Sequence, residues 1–419
     1  MKIDNELSVA RLRDIVQDTH LNFLVGAGTP SALFSPLGDI EEVLTQLDTD
    51  AVRYEGVRVI ARASVYAYFF DNVLVRNNDL LAGTGNAPVV LATYQEFLRT
   101  IHRILLRRRS TLLNKQVNVF TTNVDLTFEV ALEALGIEVN DGFAGKIKPQ
   151  FDTTNFGSIR FRKSSRYENL SEVPTFNVFK IHGSIGWRTL PRETADRMPS
   201  IAFDTGLHLV HDVSDALHSA RPFLKPLGRE PAETPIDEFV AFAATAPDDA
   251  VVDDNVKKFM AAYDRLPIVN PNKTKFQTTV MNQTYYELLR IFANELEKEN
   301  STLFVLGFSF RDEHLRQMVL RAAGGNPTLQ ILVFCFSRAD KAEYEKLMPT
   351  TLVKNGNISY VIPPEDDENG TVHHLDLDAV TDNYFAPLIP ELRARGIPAV
   401  DLNITVDGAT VAGTVSDED

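Results

Sequence analysis

Phe23-Leu24-Val25-Gly26-Ala27-Gly28 is the stretch from which the rest of this chain can be read. An apolar run ends in two glycines separated by one alanine, the pattern of a short buried strand followed by a turn that lets backbone approach a ligand closely. The same layout returns three times. Val117-Asn118-Val119-Phe120 leads into Thr121-Thr122-Asn123-Val124-Asp125, Val178-Phe179-Lys180-Ile181 into His182-Gly183-Ser184, and Leu303-Phe304-Val305-Leu306 into Gly307-Phe308-Ser309-Phe310. In an open parallel α/β sheet, ligands bind at the carboxyl ends of the strands, so four such ends can converge on one crevice. The expected fold is α/β: a Rossmann-like parallel sheet with helices on both faces.

Working outward, residues 7–18 read as an amphipathic helix that feeds the first strand. Residues 39–109 are mostly helical in pattern, with an aromatic stripe (Tyr66, Tyr68, Phe69, Phe70) expected to be a packing face and a break at Gly83-Thr84-Gly85-Asn86. A helix over 126–135 ends at Gly136, which suits a left-handed cap. Phe156 to Arg162 alternates with period two, as an exposed strand does. Residues 188–266 carry acidic, proline-containing stretches at 230–235 and 247–249 and read as a variable insertion or lid. Further strands are expected at 301–306, 330–336 and 358–361, with helices at 285–297 and 312–323.

The expected organisation is a core opening over 1–38, a helical insertion over 39–110, and core with a small β excursion over 111–187. The insertion 188–266 follows, then the second half of the core (267–340), an α/β extension (341–405) and an acidic tail without structure (406–419).

Composition narrows the function classes. At 419 residues, 44% hydrophobic and 24% charged, the chain is of ordinary globular make-up and long enough for a substantial core. No apolar run approaches the ~20 residues that span a bilayer, and the acidic start lacks the layout of a secretion signal, so a cytoplasmic protein is expected. The 42 basic and 57 acidic residues give a net charge of −15, which disfavours direct nucleic-acid binding by this chain alone. The basic run Arg103, Arg107, Arg108, Arg109 reads as a helix C-terminus. Cys335, the single cysteine, is expected to be buried in its strand and rules out both an internal disulfide and a cysteine-ligated zinc.

Each string has two readings. The glycine turn allows close approach to a pyrophosphate with helix N–H groups facing the anion, although the full G-x-G-x-x-G is missing because Thr29-Pro30-Ser31 follows. Asn123 and Asp125 suit either a polar site or an ordinary helix N-cap. Histidine as a residue type titrates near neutrality, so position 182 can supply a general base, or His182 can be a core histidine bonded to a carbonyl. Trp187 is expected to pack beside the histidine loop.

Taken together and in order, the strings resemble the nucleotide site of the sirtuin (silent information regulator) superfamily, which consumes NAD+, over residues ~20 to ~340. Thr121, Asn123 and Asp125 match its T-x-N-x-D string, His182-Gly183 its general-base pair, and Gly307 and Ser309 its Gly-x-Ser string, while Pro267-Ile268-Val269 echoes a P-x-I-V strand one residue short. The resemblance assigns catalysis to Asn123 and His182. It assigns NAD+ contacts to Gly26, Ala27, Gly28, Thr29, Asp125, Gly183, Ser184, Gly307, Ser309, Phe310 and Asp312.

There are departures. The four-cysteine zinc module and the Pro-Asp-Phe-Arg string of deacylating sirtuins are both absent from the sequence, so an acyl-lysine channel and a metal are not expected. The resemblance then implies an NAD+ glycohydrolase similar to the bacterial sirtuin-like effectors of anti-phage defence. By analogy with the stand-alone members, it implies a homo-oligomer acting with a HerA-type DNA-translocating ATPase, with regions 39–109 and 188–266 as contact surfaces. The alternatives are a protein deacylase or ADP-ribosyltransferase, and a catalytically silent nucleotide-binding regulator.

Overall fold

The apolar runs become strands. In the computed structural model, which describes residues 7–35, 44, 55–108, 112–163, 170–191, 200–224, 252–269, 279–349, 353–365, 372–394, 402–406 and 409–413, seven of them form one sheet. They are β1 (His20–Val25), β2 (Gln116–Thr121), β3 (Glu138–Asn140), β4 (Thr175–Lys180), β5 (Ser301–Leu306), β6 (Gln330–Phe334) and β7 (Ile358–Val361). Their spatial order is β7-β6-β5-β1-β2-β4-β3, and every neighbouring pair is parallel. Chain order reverses between β1 and β5, so the crevice outside their carboxyl ends is the topological switch point of the sheet.

Register is set by a row of amides, buried at Asn22 and Asn177 and half-buried at Asn118. Asn118 Nδ2 donates to Asn22 Oδ1 at 2.9 Å and Asn177 Nδ2 to Asn118 Oδ1 at 2.9 Å, joining β1, β2 and β4 at paired positions. A one-residue slip would turn each amide to the opposite face and leave its partners unpaired. With this register Val25 pairs with Thr121 and Leu306, and Thr121 with Lys180. The four strings therefore leave the sheet side by side.

Both faces are covered, which is why these strands read as near-continuous apolar runs. On one face Phe23, Val25, Val119, Val178 and Phe304 pack under α1 (Val9–Asp18), α3 (Ala87–Arg107) and α4 (Thr127–Leu135). On the other, Leu24, Phe120, Phe179, Val305 and Val333 pack under α7 (Thr279–Glu297), α8 (Glu313–Gly325) and α9 (Asp340–Leu347). Cys335 is fully buried there, and burial pushes its thiol up to about 12.

A third core joins the two regions expected to be separate insertions. α2 (Glu55–Phe69), α5 (His208–Ala220) and α6 (Asp254–Tyr263) bury their apolar faces together against Val124, Leu126 and Ile185, the residues just beyond β2 and β4. Tyr66 stacks on Tyr263 with ring centroids 4.4 Å apart. The aromatic stripe is a packing face, as expected: this helical cap buries Tyr66, Phe69 and Phe70. α3 is also not part of the insertion: its face carrying Val90, Tyr94, Phe97 and Ile101 is a layer of the main core.

The β excursion is antiparallel. Phe143–Ala144, Gln150–Phe151, Ile201–Phe203 and Trp187–Thr189 form one small sheet, and Trp187 packs against Phe151 at 4.9 Å. Phe156 to Arg162 is not one strand. Asp152 accepts from Thr154 N–H and starts a 3₁₀ turn over Thr153–Gly157, which drops Phe156 onto Phe179, so only Phe161–Lys163 is extended. Within the tail expected to lack structure, Ala409–Gly413 pairs antiparallel with Leu402–Val406. The expected loops at 230–235 and 247–249 lie outside the described residues. Among the described residues no helix is long and apolar enough to cross a membrane.

Candidate functional site

On the β1–β5 side, two loops meet backbone to backbone. Gly26 N–H donates to Leu306 O and Gly28 N–H to Gly307 O, both at 3.0 Å. A Cβ at Gly26 would lie 2.5 Å from Gly307 O and 2.7 Å from Phe308 Cα. Gly307 has φ of 57°, and a Cβ there would meet Thr29 N at 2.7 Å. Loop packing alone thus demands glycine at 26 and 307. The helix expected after the turn does not form in the described residues up to Ser35. Pro30 O accepts from both Leu33 and Phe34 N–H, giving a run of turns instead.

The Gly26 carbonyl is the hub of this side. It accepts from Asn123 Nδ2 at 3.1 Å, Thr29 N at 3.2 Å and Thr29 Oγ1 at 2.9 Å. Because the Thr29 hydroxyl hydrogen is used there, Tyr94 is the donor in its 2.7 Å contact with Thr29 Oγ1. Burial first, and then the charge of Asp125, hold the Tyr94 phenol well above its usual range, so it keeps that hydrogen. Tyr94 was read only as part of a helix, because nothing in the sequence brings it 65 residues back to Thr29.

On the β2–β4 side, polar side chains hold the loops. Thr121 Oγ1 donates to Val25 O at 2.9 Å and accepts from Asn123 N at 3.0 Å. Asp125 is buried and its Oδ1 accepts from Thr127 N, the first residue of α4, at 2.9 Å, while Leu126 takes the N-cap position. Lys180 is buried as well, with Nζ reaching the carbonyl oxygens of Asn123 and Asp125 and the carboxylate of Glu129. Sequence reasoning passed over Lys180, although a lysine ending an apolar strand beside His182 is itself a signal.

His182 lies beyond β4 with its side chain 15% exposed. Its Nε2 is buried 3.2 Å from Asp312 Oδ2, which leaves Nδ1 as the nitrogen able to face the crevice. Asp312 spends its other oxygen on the N-terminus of α8, accepting from His314 N at 3.0 Å and Leu315 N at 3.2 Å. A fixed carboxylate beside one imidazole nitrogen orients the ring. The histidine is therefore not a core residue bonded to a carbonyl through its ring. Its own carbonyl accepts from Val269 N at 2.8 Å, and Gly183 (φ 77°) bridges antiparallel to Ile268, so Pro267-Ile268-Val269 pairs with the histidine loop and not with the sheet.

Not every expected residue faces the crevice with its side chain. Ser184 is fully buried and its Oγ accepts from Gly186 N. Phe310, with φ of 57°, turns its ring into the core against Phe308 and Tyr344, so only its backbone can meet a ligand. Ala27 and Thr29 are half-buried, and Gly28 and Ser309 are exposed.

A cavity of about 60 Å³ opens beside Gly28, Thr29 and Gly307, walled by Phe334, Tyr344 and Leu377. A larger one of about 450 Å³ lies where β3 begins, lined by Arg99, His102, Glu138 and Arg162. That is the wrong end of a parallel sheet for the site the strings build, and the strand ends, not the volume, locate the candidate site. Among the described residues, no three His, Cys, Asp or Glu side chains converge as metal ligands. No protein-family model matches this chain, and no curated protein matches it.

Proposed function

We propose that this chain is a sirtuin-like NAD+ glycohydrolase, cleaving NAD+ with water to nicotinamide and ADP-ribose. One observation carries the reading: the His182–Asp312 pair and Asn123 stand at the ends of the adjacent strands β4 and β2, next to the glycine turn at the switch point. In this reading the pyrophosphate lies beside the turn Gly26–Thr29 and Gly307, at the carboxyl ends of the strands. The N–H groups of Gly26, Gly28 and Thr29 already bond the carbonyls of Leu306, Gly307 and Gly26. Nicotinamide departs through an oxocarbenium-like transition state. His182 takes the proton of the attacking water or of a ribose hydroxyl, and Asp312 stabilises the resulting imidazolium. Asn123 holds the ribose or the water, and most of the rate comes from that positioning.

The wider assignment belongs to the same proposal. The resemblance to bacterial anti-phage effectors supports a cytoplasmic homo-oligomer that depletes NAD+ together with a HerA-type ATPase. The −15 charge assigns DNA contact to that partner.

A second reading, a catalytically silent nucleotide-binding regulator, is favoured by one observation: Asn123 Nδ2 and Asp125 Oδ1 already have partners inside the protein. Incubating the chain with NAD+ and no acyl or ADP-ribose acceptor, alone and with the ATPase, separates the readings. Stoichiometric release of nicotinamide and ADP-ribose is expected. Bound but uncleaved NAD+ under both conditions selects the regulator, and turnover that appears only with an acceptor selects a transferase or deacylase.

A further inference from the structure

Lys180 closes β4, a strand with all of its positions buried, and exposes only 3% of its own surface. Water does not solvate its ammonium, so the protein must supply partners for its three donors. It supplies the carbonyl of Asn123 at 3.4 Å, the carbonyl of Asp125, and the Glu129 carboxylate at 3.3 Å. All three belong to one short segment, the loop after β2 and the first turn of α4. A single cation on the neighbouring strand therefore grips the loop that carries both Asn123 and Asp125.

Charge compensation alone does not explain this. Glu129 is half-buried in its helix, and its desolvation holds the carboxyl above the usual range, with Lys180 acting in the opposite sense. An ion pair needs only that contact, yet the ammonium also reaches two backbone carbonyls, those of Asn123 and Asp125, whose side chains bond Gly26 O and Thr127 N. Lys180 further sits two positions before His182 on the same strand end. A shift of β4 against β2 thus moves the histidine and the asparagine relative to each other, and this strap resists it.

We propose that Lys180 is a positioning residue that fixes the backbone of Asn123-Val124-Asp125 and so the placing of the Asn123 amide against His182. The functional part of this rests on the crevice being an NAD+ site, whereas the strap itself does not.

The test uses the full chain with three variants: Lys180→Met, Glu129→Gln and the two combined. Lys180→Met alone strands a buried carboxylate and can fail to fold. The double variant removes both charges and keeps the loop testable. Hydrogen exchange is read at the amides of Asn123, Thr127 and Ile185, which bond Thr121 Oγ1, Asp125 Oδ1 and Val124 O. In the double variant these amides are expected to exchange at least ~10-fold faster, while the amides of β1 keep their protection. NAD+ turnover is expected to fall about 100-fold in kcat with KM changed less than about threefold, the signature of a misplaced group. Glu129→Gln alone keeps both carbonyl bonds and is expected to lose less than about tenfold. A folded double variant whose loop amides exchange as in the parent overturns the strap. Faster exchange with unchanged kcat overturns the positioning role. If the parent itself does not cleave NAD+, the proposed function falls, and the exchange measurement still decides on the strap.

Discussion

The two flanks of β1 are held together by opposite means. Toward β5, Gly26 and Gly28 press against Gly307 with no side chain between the backbones. Toward β2 and β4, the same carbonyl of Gly26 is gripped by the Asn123 amide, and the next loop is gripped in turn by Thr121 and Lys180. One flank depends on atoms that are missing, the other on polar atoms that must all find partners. Adding a methyl group should break the first, and removing a partner should break the second. In the proposed function the glycine flank would face the pyrophosphate and the polar flank the ribose and the water.

The sharpest way to separate chemistry from architecture on the polar flank is His182→Ala. Its ring contacts Asp312 from a partly exposed position, so turnover of NAD+ should fall ~10²–10⁴-fold, with the thermal midpoint little changed. Turnover near that of the parent would remove His182 from the mechanism. Gly26→Ala attacks the bare flank. Both nearest atoms, Gly307 O and Phe308 Cα, are backbone and cannot swing away, so a loss of about 3 kcal/mol in urea unfolding is expected. Gly324→Ala, inside α8 with nothing within 4 Å of the added Cβ, should instead gain up to ~1 kcal/mol. If the two substitutions behave alike, backbone contact is not what demands glycine at 26.

Asn118→Val cuts the amide row in its middle, leaving Asn22 Oδ1 without a donor and Asn177 Nδ2 without an acceptor. A loss of about 2 kcal/mol is expected, and an unchanged denaturation midpoint would show that register is held elsewhere. Tyr94→Phe removes one buried hydrogen bond to Thr29 and should cost about 1 kcal/mol by the same measurement. The smallest effect is expected from metal removal. The single cysteine is buried and no ligand cluster is present among the described residues, so chelator should change neither stability nor turnover, and restoration by zinc of a lost activity would contradict this.

The comparison of flanks also explains what could be read in advance. Strands over Phe23–Val25, Val117–Phe120, Val178–Lys180 and Leu303–Leu306 were legible because burial on both faces leaves a near-continuous apolar run. The end of α4 was legible because Gly136 takes a left-handed cap, with φ of 62°. The short turn over Thr153–Gly157 was not: its last two residues open the alternating run Phe156 to Arg162, which reads as a strand, and the Asp152 side chain starts the turn instead. The joint core of α2, α5 and α6 was equally hidden. An amphipathic face says that a partner exists, not that it lies some 200 residues away, as with Tyr66 and Tyr263.

By itself the sequence determined the α/β class, the strand ends and the residue types offered there, because hydrophobic period and glycine placement are local properties of the chain. Only the tertiary structure decided which groups meet. Asp312, read as a ligand contact, stands against His182. Lys180, read as strand, holds the Asn123 loop, and Tyr94, read as helix, donates to Thr29. Each of these contacts spans 55 or more residues and exists because the asparagine row sets the register and sheet order makes β5, β1, β2 and β4 neighbours. Buried polar groups must be satisfied, but the sequence does not say by whom, since that depends on which strand ends the folded sheet brings side by side.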